Sequence, residues 1–482
     1  MEQTMHGIAK VAMFTLASIT TSALASPQSS DDSIAQMRGE ITLLRQANAD
    51  TQAQLAALRS EQGDKWLTET RAKEIKDLVR DVLSDSETRN SLGGSGATVG
   101  YDDGFFLSSP DGNWKFKINV LDQVRFVFNQ NNVSSLSQSE WGFENRRTQL
   151  TFSGNMADPS WTYMIRLNIT PEADPYDSAG VNLQDSWATK TLGNGFGFTA
   201  GQFKTPFMRE SLMDDGVQLT AERSVVDYYF SSGYQAGIRL NYNGETVRFW
   251  ASYGNGYRTA QMNGSGLLFQ TQSWATGSTS FNIAGRAEYK VMGEWSQFNK
   301  ESSFRGEGTG VLLGAAVGYE NDRGADSNPA MIDPYSAIKW TADATVMFGG
   351  ANISAAFVGQ NTPHDATTNS VNPGSAVAAN DYGYVVQGGY LFTDELEAFV
   401  RWEYFNMQNT QAGDGTTMEN ILTFGGNYYI ARNRAKVTLD VGIAMSRNSN
   451  LSNDTFNTVQ GAGWQDGTGQ QWNIRAQFQV AF

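Results

Sequence analysis

The chain has 482 residues with 49 Gly, 12 Trp, 18 Tyr, 27 Phe, no Cys and 2 His, and a formal net charge of -15. Without cysteine there are no disulfides, thiolate metal sites or thiol nucleophiles, and two histidines cannot supply a His-containing triad or a histidine metal cluster. The acidic balance argues against nucleic acid as a partner, while aromatics and glycines in this proportion favour an all-β body.

The first 25 residues read as a cleaved export signal: Lys10 gives the positive charge, Val11 to Ile19 the apolar stretch, and Ala23-Leu24-Ala25 the small-x-small cleavage site. The mature chain then begins near Ser26. Across residues 26–62, Ile34, Met37, Ile41, Leu44, Asn48, Thr51, Leu55 and Leu58 alternate in steps of three and four, a heptad seam that predicts an α-helical coiled coil. Asn48 falls on an a position, where a buried amide costs stability and fixes register. Gly63-Asp64 interrupts the pattern. A second helix follows within 63–92, with Ile75, Leu78 and Val82 on one stripe, and the glycine-rich run from Leu92 to Ala97 opens a linker over 93–112.

From residue 113 to 482 the period changes from 3.5 to 2. Trp114, Phe116, Ile118, Val120, Asp122, Val124, Phe126 and Phe128 alternate with Lys115, Lys117, Asn119, Leu121, Gln123, Arg125 and Val127. Sixteen such segments are expected, near 113–128, 143–155, 160–170, 181–191, 195–203, 234–243, 246–254, 281–292, 311–320, 337–348, 351–359, 382–392, 395–406, 419–429, 434–447 and 471–482. Short joins such as Gly349-Gly350 and Thr393-Asp394 alternate with long ones, the pattern of an all-β transmembrane barrel of about 16 antiparallel strands. A mean hydropathy of -0.41 is no objection, because only alternate side chains of a barrel strand face lipid. No apolar run after the signal approaches the roughly 20 residues that a membrane helix needs. A barrel of this size leaves an aqueous channel, with Trp114, Trp402, Tyr404, Tyr428 and Trp472 as candidate interfacial girdle residues.

Alternation assigns Lys115, Lys117, Arg125, Arg147, Arg166, Arg239, Arg248, Arg286, Lys290, Lys339, Arg401, Lys436 and Arg475 to the inner face, with Asp343, Glu288, Glu397, Glu403 and Asp440. Basic groups outnumber acids there, and the set as a whole is a candidate basis for selectivity, although any single arginine is more readily explained by a cross-strand ion pair or hydrogen bond. Acids such as Asp214, Asp215 and Asp322 are expected in loops and turns that keep the surface soluble. Residues 204–233 interrupt the strand rhythm, and long loops of this kind are usually functional. Trp250, Phe399 and Phe405 fall on the inner face and keep a sugar-stacking track open.

The stretch Gly201-Gln202-Phe203-Lys204-Thr205-Pro206-Phe207, the triplet Glu222-Arg223-Ser224, the pair Arg146-Arg147 and the strand count resemble the phosphate-selective porin O and P family. The resemblance covers residues from about 100 to 482. It implies an outer-membrane homotrimer that passes anions, with residues 204–233 folded into the pore and Lys204, Arg209 and Arg223 at the constriction. Phe482, closing an aromatic alternating strand, resembles the signal read by the barrel assembly machinery. The function expected is passive diffusion of small hydrophilic solutes across the outer membrane, biased to anions such as phosphate. The alternatives are a general or sugar-preferring porin, and a structural anchor for a periplasmic coiled coil. No enzyme activity, cofactor or metal is expected; outer-membrane lipid surrounds the barrel, and peptidoglycan is a further candidate partner for the N-terminal region.

Overall fold

The computed structural model describes residue 46 and residues 96–133, 136–170, 180–255, 281–322, 335–362, 379–408, 416–445, 463–464 and 470–482. The export signal, the coiled coil and the second helix fall outside the described residues, apart from Gln46, which is helical.

Inside the stretch read as linker, residues 98–108 form a hairpin of β1 (Thr98–Tyr101) and β2 (Phe105–Ser108). Its second strand pairs with Lys115–Ile118 at the start of the barrel, so these backbone groups are satisfied by the sheet rather than by water.

The barrel consists of β3 (Lys115–Val133), β4 (Leu136–Met156), β5 (Asp158–Thr170), β6 (Gly180–Gly193), β7 (Phe196–Lys204), β8 (Tyr234–Asn243), β9 (Val247–Gly254) and β10 (Phe281–Met292). It continues through β11 (Gly310–Asp322), β12 (Tyr335–Phe348), β13 (Ala351–Thr362), β14 (Ala379–Leu391), β15 (Leu396–Gln408), β16 (Thr416–Tyr429), β17 (Ala435–Ala444) and β18 (Gln470–Ala481). Each of the sixteen expected segments is one of these strands. Every strand pairs antiparallel with its sequence neighbour, and β18 closes on β3 from Gln470↔Asn132 to Ala481↔Leu121. Val120 and Phe482 exchange backbone hydrogen bonds of 2.7 and 3.0 Å and carry that seam to the last residue. Closure is what lipid demands, since each unsatisfied backbone group in hydrocarbon costs several kcal/mol, about the worth of a lost hydrogen bond in an apolar medium.

Seen along the chain, one end of the barrel has joins at 157, 194–195, 244–246, 349–350, 392–395 and 430–434 together with the longer join 293–309, and the other has the join 134–135 and otherwise longer connections. Gly349 and Gly350 have φ of 47° and 104°, the left-handed backbone of a two-residue hairpin turn. β3 and β4 extend further than the alternation suggests, to 19 and 21 residues. The added part, from Asn129↔Glu140 to Val133↔Leu136, is mostly polar and lies beyond the outward Phe126, Phe128, Trp141 and Phe143, where no apolar face is needed.

The outer wall is the greasy one: Trp114, Phe198, Ile238, Ile283, Val317, Ile338, Val400, Trp402, Tyr428 and Phe478 are exposed. The inner wall holds polar and charged groups, among them Arg125, Arg286, Lys436 and Arg475, each buried within the lumen. No described helix is long and apolar enough to cross a membrane.

Candidate functional site: a double insertion across the lumen

Two segments enter the lumen and meet. The first is residues 205–233. Gly201, with φ of 131°, sits where a Cβ would collide with the carbonyl oxygen of Ser186, so only glycine fits. The strand then ends at Pro206, which has no N–H to continue the ladder. Thr205 N donates to Gly233 O at 2.8 Å and pins the base of the loop. Two short helices follow, α1 (Arg209–Leu212) and α2 (Val225–Phe230).

The loop packs its apolar side chains Phe207, Met208, Val225, Val226 and Phe230 against inward groups of the wall, including Ala316, Val358, Val385, Phe405 and Ile421. Burial drives this contact without direction; the polar bonds fix its position. Glu222 is fully buried and accepts from Arg125 at 3.2 Å, from Arg146 at 2.7 Å and from Arg147. Arg223 pairs with Asp215 at 2.8 Å, and the Ser224 hydroxyl accepts from Asp227 N at 3.0 Å as the cap of α2. Glu210 accepts from Ser224 N at 2.6 Å, Glu403 from Val225 N at 2.6 Å and Asp440 from Ala221 N at 3.0 Å. Each member of the Glu222-Arg223-Ser224 triplet therefore has a separate mechanical task.

Arg146 and Arg147 are adjacent yet both aim inward. A β-bulge allows it: Gln123 faces Arg147 and Val124 faces Asn145, leaving Arg146 as the extra residue. The same device at Gln184 turns both Gln184 and Asp185 into the lumen.

The second insertion, residues 293–309, comes from the short-join end. A 3-10 helix (Trp295–Asn299) with a Glu294/Gln297 capping box opens it. It meets the first segment through Glu301 N to Val217 O at 3.2 Å, Leu219 N to the Glu301 carboxylate at 2.6 Å, and Arg209 to Phe298 O. Sequence reasoning did not single this segment out. Its signal is there in hindsight: Trp295, Phe298 and Phe304 are apolar rings in a join far longer than its neighbours.

The expected site residues divide into two groups. Most serve as anchors: Arg166 pairs with Asp214 at 2.9 Å, Arg209 with Glu288 at 3.4 Å, Arg286 with Asp343 at 2.7 Å and Arg475 with Asp440 at 2.7 Å. Arg401 pairs with Glu403 at 2.8 Å and donates to Thr220 Oγ1 at 2.7 Å, and Lys204 donates to Met213 O at 2.9 Å. Arg125, Arg147 and Arg223 belong with them. Asp214 and Asp215, expected as solubilising loop charges, are instead counterions inside the lumen: Asp215 is only 4% exposed, because the loop that carries it folds inward.

The second group is open to the lumen. Lys117 lines a cavity of about 810 Å³ at the short-join end, with Arg166, Lys300, Arg432 and Arg434 opposite only Asp103 and Asp214 as acidic side chains. Among the described residues Lys117 and Arg432 have no carboxylate partner. Lys115 reaches Asp102 at 3.4 Å. On the β8–β10 wall Arg239 donates to Asn241 at 2.7 Å, and Arg248 and Lys290 stand 4.0 and 5.3 Å from the ring of Trp295.

The inserted segments are also wired for pH. Burial would raise the Asp215 carboxyl, but Arg223, Arg147 and Lys204 overcome it and hold it well below the usual range; Arg146, Arg147 and Arg125 do the same against burial at Glu222. Burial first, and the charge of Glu210 second, push Asp227 and Glu301 up. A lowered docked-state pKa supports docking above the undocked value and is lost as pH falls through the docked one; a raised pKa opposes docking as pH climbs from the undocked value through the docked one. Docking should therefore be tightest in mildly acidic solution, above the carboxylate range of about 4. Open-channel noise recorded across acidic to neutral pH should rise toward neutrality, and Asp227→Asn should flatten that rise.

The architecture, a closed barrel of sixteen strands with a polar lumen crossed by inserted segments, is that of a diffusion channel. The family described as phosphate-selective porin O and P matches residues 118–480. The chain belongs to this family. Membership makes it an outer-membrane porin. An uncharacterised protein of Aquifex aeolicus is 20% identical over 384 residues, 72% of this chain and 86% of that protein. Among solved structures, an anion-selective porin from Comamonas acidovorans overlays with a TM-score of 0.51 at 11% identity, over 76% of this chain and 99% of that one. OmpF of Salmonella typhi, in complex with daunomycin, overlays at 0.50 and 12% identity, over 80% and 100%. These two share the porin barrel.

Proposed function

We propose that this porin passes small anions, phosphate among them, and that its bias comes from the cavity at the short-join end rather than from a row of free arginines. The supporting observation is the division of its cations. Those at the constriction are neutralised by Glu222, Asp214, Asp215, Asp343 and Asp440, whereas Lys117 and Arg432 face the cavity without a carboxylate among the described residues. A field from unpaired charges reaches across a narrow pore, since screening takes about 10 Å at 0.1 M salt.

A homotrimer fits this reading, with the heptad segment of residues 26–62 in the periplasm. The porin family and the barrel fold favour a channel over an enzyme. The sugar-stacking alternative is disfavoured at two of its three rings: Phe399 and Phe405 are buried, and Phe405 packs 5.3 Å from Tyr229 of the inserted loop.

Planar-bilayer recording in a potassium chloride gradient tests the proposal. A reversal potential of the sign for chloride preference is expected, with phosphate added to one side reducing the chloride current. A cation-selective reversal potential would contradict the bias, and a folded barrel with no conductance would favour the anchor reading.

A further inference from the structure

The cavity at the short-join end holds hydrogen-bonding groups that its own side chains leave unused. On its wall Lys117 of β3 stands opposite Ser153 of β4, and one step deeper along the inner face Asn119 stands opposite Thr151. Directly opposed residues of antiparallel strands share a face, so the four side chains form one patch, its two pairs about 7 Å apart along the strands. Three of them carry polar groups with no partner among the described residues. The Asn119 amide gives its Nδ2 hydrogen to Asp103 O, which leaves Oδ1 as an acceptor without a donor. Thr151 Oγ1 accepts from Arg166 Nε at 3.2 Å, and its own proton goes to no acceptor. The Ser153 hydroxyl makes no hydrogen bond there. Elsewhere in the lining Asn433, next to Arg432 in the turn between β16 and β17, has an Oδ1 without a donor as well.

These groups decide what the cavity can hold beside a charge. A bare phosphate dianion offers mostly acceptor oxygens, which suit Lys117 and Arg432 but leave an amide oxygen such as Asn119 Oδ1 unpaired and repelled. A sugar hydroxyl both donates and accepts, so it satisfies an amide oxygen and a Ser or Thr hydroxyl alike. Size agrees: a volume of about 810 Å³ falls in the range of roughly 300–1,000 Å³ typical of small-molecule sites, well beyond what a single tetrahedral anion fills.

We propose that this cavity recognises hydroxylated anions, one anionic group borne on a polyol as in a sugar phosphate or a sugar acid, in preference to bare phosphate. The proposal deepens the anion-channel reading above and rests on it. Lys117 and Arg432 take the anionic head, while Asn119 Oδ1, Thr151 and Ser153 take hydroxyls of the polyol. No ring stacking is required. Each such hydrogen bond adds a factor of several in affinity, so two or three together give a preference of about tenfold.

Block of the chloride current through the full-length protein in planar bilayers tests this, with glucose 6-phosphate, gluconate, inorganic phosphate and phenyl phosphate added in turn. Phenyl phosphate matches the sugar phosphate in bulk but has no hydroxyls on its ring. Half-block by glucose 6-phosphate is expected at a concentration about tenfold below that for phosphate or phenyl phosphate. Block by gluconate at a similarly low concentration supports recognition of either anionic head, and block by glucose 6-phosphate alone supports the phosphate head. In the double variant Thr151→Val and Ser153→Ala the advantage over phenyl phosphate is expected to shrink to within about twofold. Equal block of the parent channel by phosphate, phenyl phosphate and glucose 6-phosphate would overturn the proposal and leave the anion channel standing. An advantage that survives intact in the double variant would overturn it too. A cation-selective reversal potential would instead remove the anion reading, and this proposal with it.

Discussion

Replacing Glu222 by glutamine is expected to release the inserted loop and raise single-channel conductance. Arg125, Arg146 and Arg147 converge on this carboxylate from β3 and β4, and Arg125 also contacts Glu144. Arg147 also lies 3.6 Å from Asp215, a longer and weaker pairing. Removing one partner of a buried ion cluster costs about 3–5 kcal/mol, because the remaining charges stay buried and repel. Docking free energy falls by that order, and the Glu222 end of the loop detaches while Arg401 and Asp440 lose their bonds to its backbone. The barrel itself closes through β3 and β18 and should persist. Larger and noisier openings, with the protein still heat-modifiable on gels, are expected. Conductance equal to that of the parent protein would mean that the apolar contacts of Phe207, Val226 and Phe230 hold the loop alone.

The double change Lys117→Glu and Arg432→Glu is expected to turn anion preference into cation preference. Neither cation has a carboxylate partner among the described residues, so neither substitution breaks an ion pair, and the charge of the cavity wall moves by four units. The contrast is Arg286→Gln, where the guanidinium is committed to Asp343 and Glu288 and to Phe207 O at 2.9 Å. That variant should disturb loop position more than selectivity. Reversal potentials in the same salt gradient distinguish the two, and an unchanged sign in the double variant would remove the cavity from the account of selectivity.

The barrel was legible because its signal is local: a period of two repeats within each strand, and which wall a side chain belongs to follows from counting. Counting fails at a bulge. Around Arg146-Arg147 an even alternation assigns one arginine to lipid, yet both face Glu222, and nothing in the adjacent residues announces the extra one. The wiring of the constriction was also hidden, since its partners lie far apart in sequence: Ala221 N finds Asp440 across 219 residues and Arg401 finds Thr220 across 181. A list of inner-face cations therefore could not say which were already neutralised. Asp214 and Asp215 were misplaced for the same reason, as a loop that folds inward carries its charges with it.

The central claim is a ring of strands with apolar groups outside and water within, and the absence of cysteine makes it directly measurable. Single cysteines placed in turn at Gln149, Leu150, Thr151, Phe152 and Ser153 of β4 would be treated with a membrane-impermeant thiol reagent in intact outer membranes. Gln149, Thr151 and Ser153 line the cavity and should react, whereas Leu150 and Phe152 on the outer wall should not. Uniform reaction along the strand, or the opposite alternation, would contradict the account.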